Sequence, residues 1–197
     1  MNEILINTFI SPSRFSKYKT LANYEENLIS SKQYYIPLSI LEVSLRNAIN
    51  NHFEKMYGRG WLLHQASFLR NDLVRKIDEA KLKLNARNEN INKEKLVAEL
   101  SFGFWTSLFK VPYAKQMRTY DLKRIFPNLP PKHKELIDRA KLSTRLNHIR
   151  AFRNRISHHE KITDKSEFKN IGIEINSILF YFDEDILAFS KRLNHVH

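Results

Sequence analysis

One eleven-residue stretch, Arg150-Ala151-Phe152-Arg153-Asn154-Arg155-Ile156-Ser157-His158-His159-Glu160, gathers three arginines, an amide and two adjacent histidines. These side-chain types suit cleavage of RNA without a metal. A histidine, with an unperturbed pKa of about 6.5, gives or takes a proton near neutrality. An arginine stays charged and offers a planar fork of donors matched to phosphate oxygens. Arg153, Asn154 and His158 spell R-N-x-x-x-H. At about 100° per residue, Asn154 and His158 share one helix face, with Arg150 a turn earlier, whereas Arg153 stands about 140° round from His158. For Arg153 and His158 to meet at one bond, the guanidinium must reach round, the helix must loosen near Ser157, or a second chain must complete the site. The plainer alternative is a helix end made basic because cations suit the negative end of the helix dipole.

The elements that must carry this stretch read as helices almost throughout. Ser11-Pro12-Ser13 marks a helix start, with proline near the first turn. The following segment, to about Ser31, carries Phe15, Tyr18, Leu21, Leu28 and Ile29 as its apolar stripe. A second helix is expected from about Gln33 to Tyr57, ended by Gly58-Arg59-Gly60. Its core face is Leu38, Leu41, Leu45, Ile49, Phe53 and Met56. A third spans about Asp72 to Asn88 on Leu73, Ile77, Ala80 and Leu84. Asn92 then reads as the N-cap of a helix through Leu96, Leu100, Phe104 and Leu108, stopped at Val111-Pro112. Tyr113 to Phe126 reads as a short basic helix, and the proline-rich Pro127 to Pro131 as a linker. A long helix from about Lys132 to His158 would turn Leu136, Ala140, Ile149, Phe152 and Ile156 inward. One or two amphipathic helices fill Ser166 to the chain end, on apolar residues from Phe168 to Phe189. Nothing in the pattern divides the chain, so residues 1–197 read as one all-α domain.

Composition narrows the chemistry. Apolar residues make up 42% of the 197, enough for a core, while four glycines and six prolines are few for an all-β fold. Cysteine is absent, which removes disulfides, thiolate catalysis and Cys-based zinc sites. The other histidines are scattered, with no H-E-x-x-H, and no glycine-rich phosphate loop occurs, so no metal or cofactor is expected. No secretory leader pattern or long apolar run appears, and the chain reads as a soluble cytoplasmic protein without a membrane partner. The net charge of +12 is uneven: Lys110 to Lys161 holds 14 lysines and arginines against four acids, a net of +10. Such a zone favours a polyanion, with nucleic acid preferred over an anionic membrane.

Arg153-Asn154-Arg155-Ile156-Ser157-His158-His159 resembles the R-N-x-x-x-H-H signature of HEPN-domain ribonucleases, and within them the bacterial Abi-like (abortive infection) branch. Two further stretches resemble that branch: Pro37 to Ile49 (PLSILEVSLRNAI) and Leu100 to Phe109 (LSFGFWTSLF). The resemblance implies a HEPN-like helical bundle with additional helices. It also implies a homodimer in which two such helices face across a two-fold cleft, each site drawing on both chains. The implied activity is metal-independent RNA cleavage in anti-phage or toxin-antitoxin defence, with an antitoxin or small non-coding RNA as a further partner. In that reading His158 is general acid or base, Arg153 stabilises charge on the reacting phosphate, and Asn154 orients either. His159 is a supporting candidate. Arg150, Arg155, Arg145 and Lys141 would hold the RNA backbone. Arg46 and His52 would form a degenerate second motif or, preferentially, Arg46 and Asn47 would buttress the R-N-x-x-x-H helix by hydrogen bonds. Phe102, Phe104 and Trp105 are expected in the core rather than as a base-stacking platform. Two rival functions remain: a non-catalytic module that binds a small RNA, and a helical regulator whose basic face takes an acidic protein.

Overall fold

The computed structural model describes residues 6–194, in which every regular element is helical and no strand occurs. The all-α expectation holds. The elements that matter are α1 (Pro12–Phe15), α2 (Leu21–Tyr57), α3 (Asn71–Ala86), α4 (Lys93–Glu99), α5 (Phe102–Ser107), α6 (Thr119–Ile125), α7 (Arg139–Ser157), α8 (Ile171–Phe182) and α9 (Glu184–Asn194). The expected C-terminal helix beyond Asn194 lies outside the described residues.

The frame is α2, a single helix of 37 residues where two were expected. At about 1.5 Å per residue it is about 55 Å long. It starts at Thr20, not Ser11: the Thr20 hydroxyl accepts from the Asn23 amide at 3.2 Å, and Lys19 just before it takes a left-handed φ of 68°. Ser11-Pro12 begins only the single turn α1. Pro37 does not stop α2, although an interior proline costs a helix about 3 kcal/mol. Pro37 and Leu38 are buried, and α2 packs on both α8 and α9, so tertiary burial outweighs the lost hydrogen bond. The helix ends at Gly58, whose φ of 86° suits glycine.

Leu38, Leu41, Leu45, Ile49 and Phe53 of α2 are buried at the centre of one hydrophobic cluster, with Met56 packed against it. Leu28 and Ile29, expected inside, are exposed at 44% and 60%. They line an open groove with Ile156 and Ser157 of α7. The helix expected to run from Asn92 through Leu108 breaks in two, because Leu100 and Ser101 adopt extended backbone. The break lets the Leu100 carbonyl accept from Trp105 Nε1 at 3.3 Å, and Phe102, Phe104 and Trp105 all turn into the core. The expected basic helix from Tyr113 shrinks to α6 behind a 3-10 turn at Val111–Tyr113. Likewise α7 begins at Arg139 rather than Lys132, where Asp138 accepts from the Lys141 amide at 2.8 Å. Leu136 and Ala140 are therefore exposed, and Ile137 is the buried residue instead. Ile149 and Phe152 are buried as expected, and Ile156 packs partly buried at the core edge.

Candidate functional site

The three family-like stretches meet around α7. Leu142, Leu146, Ile149 and Phe152 fix its inner face against α5 and α8. On α5, Gly103 lies beneath Arg150: a Cβ there would come within 3.3 Å of Arg150 Nη1. On α2, Glu42 binds Arg153, Oε2 to Nη2 at 3.2 Å, and Tyr34 packs edge-on against Phe152 with ring centroids 4.8 Å apart. Arg150 and Arg153 are thus half-buried and placed by the other two stretches, while Ala151, Asn154, Ser157 and His158 form an exposed strip.

The motif reaches the end of the helix: Ser157 is the last helical residue, and His158 is the C-cap with φ −95° and ψ 10°. The His158 amide donates to the Asn154 carbonyl at 2.9 Å. His159 then takes a left-handed φ of 53°. Its amide donates to Ile156 O at 3.0 Å, and the Glu160 amide donates to Arg155 O at 2.8 Å. This is the Schellman closure, in which glycine usually occupies the position of His159. An L-residue there costs about 1–2 kcal/mol. The turn is held from outside: Arg14 Nη2 donates to the His158 carbonyl at 3.4 Å, and Arg155 pairs with Glu160 at 3.0 Å.

Several expected site residues do not join this cluster. Lys141 is exposed in the first turn of α7, about 25 Å along the helix from His158 at about 1.5 Å per residue. Arg145 is committed elsewhere, donating to Tyr181 Oη at 2.8 Å and Glu135 at 3.1 Å. Burial works against its charge, but these two partners win and hold the guanidinium pKa above its usual value. Arg46 donates to the Ala98 carbonyl of α4 at 3.5 Å, not to α7. His52 is buried with Nε2 3.6 Å from Asp121 Oδ1 of α6. Its burial pushes its pKa down despite that carboxylate. Arg46 and His52 therefore face different neighbours, and Asn47 is exposed. The buttress expected of Arg46 and Asn47 is supplied by Glu42, one turn earlier in the same stretch.

Also missed was Asn27, 1% exposed, whose Oδ1 accepts from the amides of Ile162 at 2.7 Å and Thr163 at 3.3 Å. It ties the chain beyond His159 to α2. Among the described residues no group of three or more histidines and acids stands together as metal ligands would, and no helix is long and apolar enough to cross a membrane.

Comparison with known proteins yields one relation. The family model described as Abi-like protein matches residues 5–164, which include all three motif stretches and the turn that follows His159. Neither the curated proteins nor the solved structures gave a significant match.

Proposed function

Because the chain belongs to the Abi-like protein family, a family associated with abortive infection, we propose that it is a metal-independent endoribonuclease of the HEPN type acting in anti-phage or toxin-antitoxin defence. One observation carries the reading: His158 stands exposed at the α7 C-cap, one turn from exposed Asn154, with half-buried Arg153 and Arg150 preceding it on the same helix. A general acid–base needs solvent and substrate access, and a charge-stabilising arginine needs a fixed mount. His158 has the first, and Glu42 gives Arg153 the second.

In this mechanism His158 removes the proton from a ribose 2′-OH or protonates the departing 5′-oxygen. The 2′-oxygen attacks phosphorus as the P–O5′ bond breaks, leaving a 2′,3′-cyclic phosphate. Arg153 stabilises charge on the phosphorane-like transition state, and its five donors let it keep Glu42 on one edge while offering another to phosphate. Asn154 orients His158 or the phosphate. A homodimer with the two α7 ends opposed would let Arg153 of one protomer serve His158 of the other and divide the acid and base roles. An antitoxin or small non-coding RNA would hold such an activity in check.

The test is incubation of purified wild type and His158→Ala with end-labelled RNA in excess EDTA, resolved on a denaturing gel. Cleavage by wild type alone, with cyclic-phosphate ends, is expected. Equal activity in His158→Ala, or loss of activity on chelation, would sink the mechanism. The Glu42–Arg153 ion pair also suits a second reading, a non-catalytic RNA-binding module in which that arginine is only structural. Salt-sensitive RNA binding with no cleavage by either protein would select it.

A further inference from the structure

Immediately past the end of α7 the chain builds a second concave site that the R-N-x-x-x-H motif does not contain. A pocket of about 580 Å³ opens beside His159, lined by Arg14, Lys17, Arg155, Lys161, Thr163 and Lys165. Glu160 and Asp164 line it too, but each is already neutralised: Glu160 by Arg155 at 3.0 Å and Asp164 by Lys161 at 2.8 Å. Among the described residues Arg14, Lys17 and Lys165 enter no ion pair, so three cations from two distant parts of the chain converge without an acid to balance them. The Thr163 hydroxyl is buried and lacks a hydrogen-bond partner. Donors therefore outnumber acceptors in the lining, the mismatch that an anion with several oxygens corrects.

The pocket is built, not incidental. Its floor hangs on buried Asn27, which accepts from the Ile162 and Thr163 amides and donates to the Glu160 carbonyl at 3.4 Å. Lys161 Nζ donates to the Lys17 carbonyl at 3.3 Å, joining the N-terminal segment to the loop. Two wall residues, His159 and Asp164, hold left-handed backbone with φ of 53° and 61°. Strained backbone kept by surrounding contacts concentrates at functional sites. The position adds direction, since His159 lines the pocket and the adjacent His158 is the proposed acid–base.

We propose that this pocket binds a phosphate group of the RNA strand adjacent to the phosphate at His158, and so sets which bond reaches the histidine. This rests on the RNA reading above but not on catalysis. Arg155, expected only as a general backbone contact, belongs here, and Arg14 and Lys17 extend the RNA surface well outside the basic zone of residues 110–161.

The test measures binding of a short fluorescein-labelled single-stranded RNA to the full chain carrying His158→Ala, in EDTA, across a salt series. Arg14→Gln with Lys165→Gln, both exposed, is compared with Arg75→Gln with Lys83→Gln, a charge-matched pair on the exposed face of α3. The pocket pair is expected to weaken binding about tenfold and to lower the salt slope by about 0.7, the loss of one single-strand phosphate contact. The α3 pair should do much less. Inorganic pyrophosphate should compete with RNA on the parent chain and not on the pocket variant. Equal effects of the two pairs would overturn the pocket while leaving the ribonuclease reading intact. Pocket-dependent binding by a chain that, with His158 present, never cleaves RNA would keep the pocket and remove the ribonuclease. Competition by pyrophosphate with unchanged RNA affinity in the pocket variant would assign the site to a free phosphate and overturn the proposal.

Discussion

The chain carries two Arg-Asn pairs followed by a histidine, Arg46-Asn47 with His52 and Arg153-Asn154 with His158, and the fold treats them oppositely. The first lies deep inside α2, where the register throws Arg46 onto α4 and buries His52 against α6. The second straddles a helix end, where His158 stands exposed at the C-cap and Arg153 stays anchored to Glu42. Residue types alone do not make a site. In the proposed site the helix terminus exposes one partner while packing fixes the other.

The sharpest break of this comparison exchanges the two histidines' roles. His158→Ala is expected to lower RNA cleavage by at least about 10²-fold, the range of a lost general acid–base, with an unchanged melting temperature. His52→Ala should do the reverse, lowering stability by about 2 kcal/mol through the cavity it leaves, while the folded fraction cleaves normally. Activity assays paired with thermal melts decide between them, and the opposite pattern would reverse the assignment.

A smaller effect separates the two arginines. Glu42→Ala removes the mount of Arg153, and a misplacement of about 1 Å in such a group lowers turnover up to about 10²-fold. RNA affinity should hold or rise, since Arg153 is released from its carboxylate. Arg46→Ala, by contrast, loses one 3.5 Å contact to a backbone carbonyl and should leave turnover nearly unchanged. Single-turnover rates at saturating RNA would show the difference, and equal losses in both variants would remove the distinction.

These contrasts follow the line between what the chain's pattern declared and what it hid. Apolar spacing in α2 declared Leu38 through Phe53 as core, and the R-N-x-x-x-H-H stretch declared itself as a helix leading into a turn. The break expected near Ser31 does not occur, because α2 runs unbroken from Leu21 to Tyr57, and Leu100-Ser101 misled because an unbroken apolar period concealed extended backbone. Leu136 and Ala140 were misread for want of the true start at the Asp138 cap. Glu42, Asn27 and Arg14 were illegible as site residues. Each acts through a partner more than a hundred positions away, which no local period encodes.

The two adjacent histidines at the α7 end also differ, and a milder substitution tells them apart. His159 is there as the left-handed residue of the helix closure, so His159→Gly removes its steric conflict but loosens the unfolded chain. The net should be a gain of up to about 1 kcal/mol, raising the melting temperature by about 2–4 °C with cleavage retained. A stable variant that no longer cleaves would instead make the His159 imidazole part of the chemistry.

The smallest expected effect concerns the buried histidine of the first pair. Burial pushes the His52 pKa down; Asp121 opposes that, while Arg124 and Lys55 add to it. The folded chain therefore resists protonation that the unfolded chain accepts at about pH 6.5. Between that value and the lower folded pKa the unfolded state binds the extra proton, so stability is complete above the window and is lost as pH falls through it. Carboxylates with lowered folded values, such as Glu54 and Glu89, lose their contribution only at more acid pH. Melting temperatures across the histidine window should therefore fall by a few degrees in wild type and less in His52→Gln, which keeps a polar group near Asp121 without a proton to gain. Parallel curves for the two proteins would show that His52 is not the group that titrates.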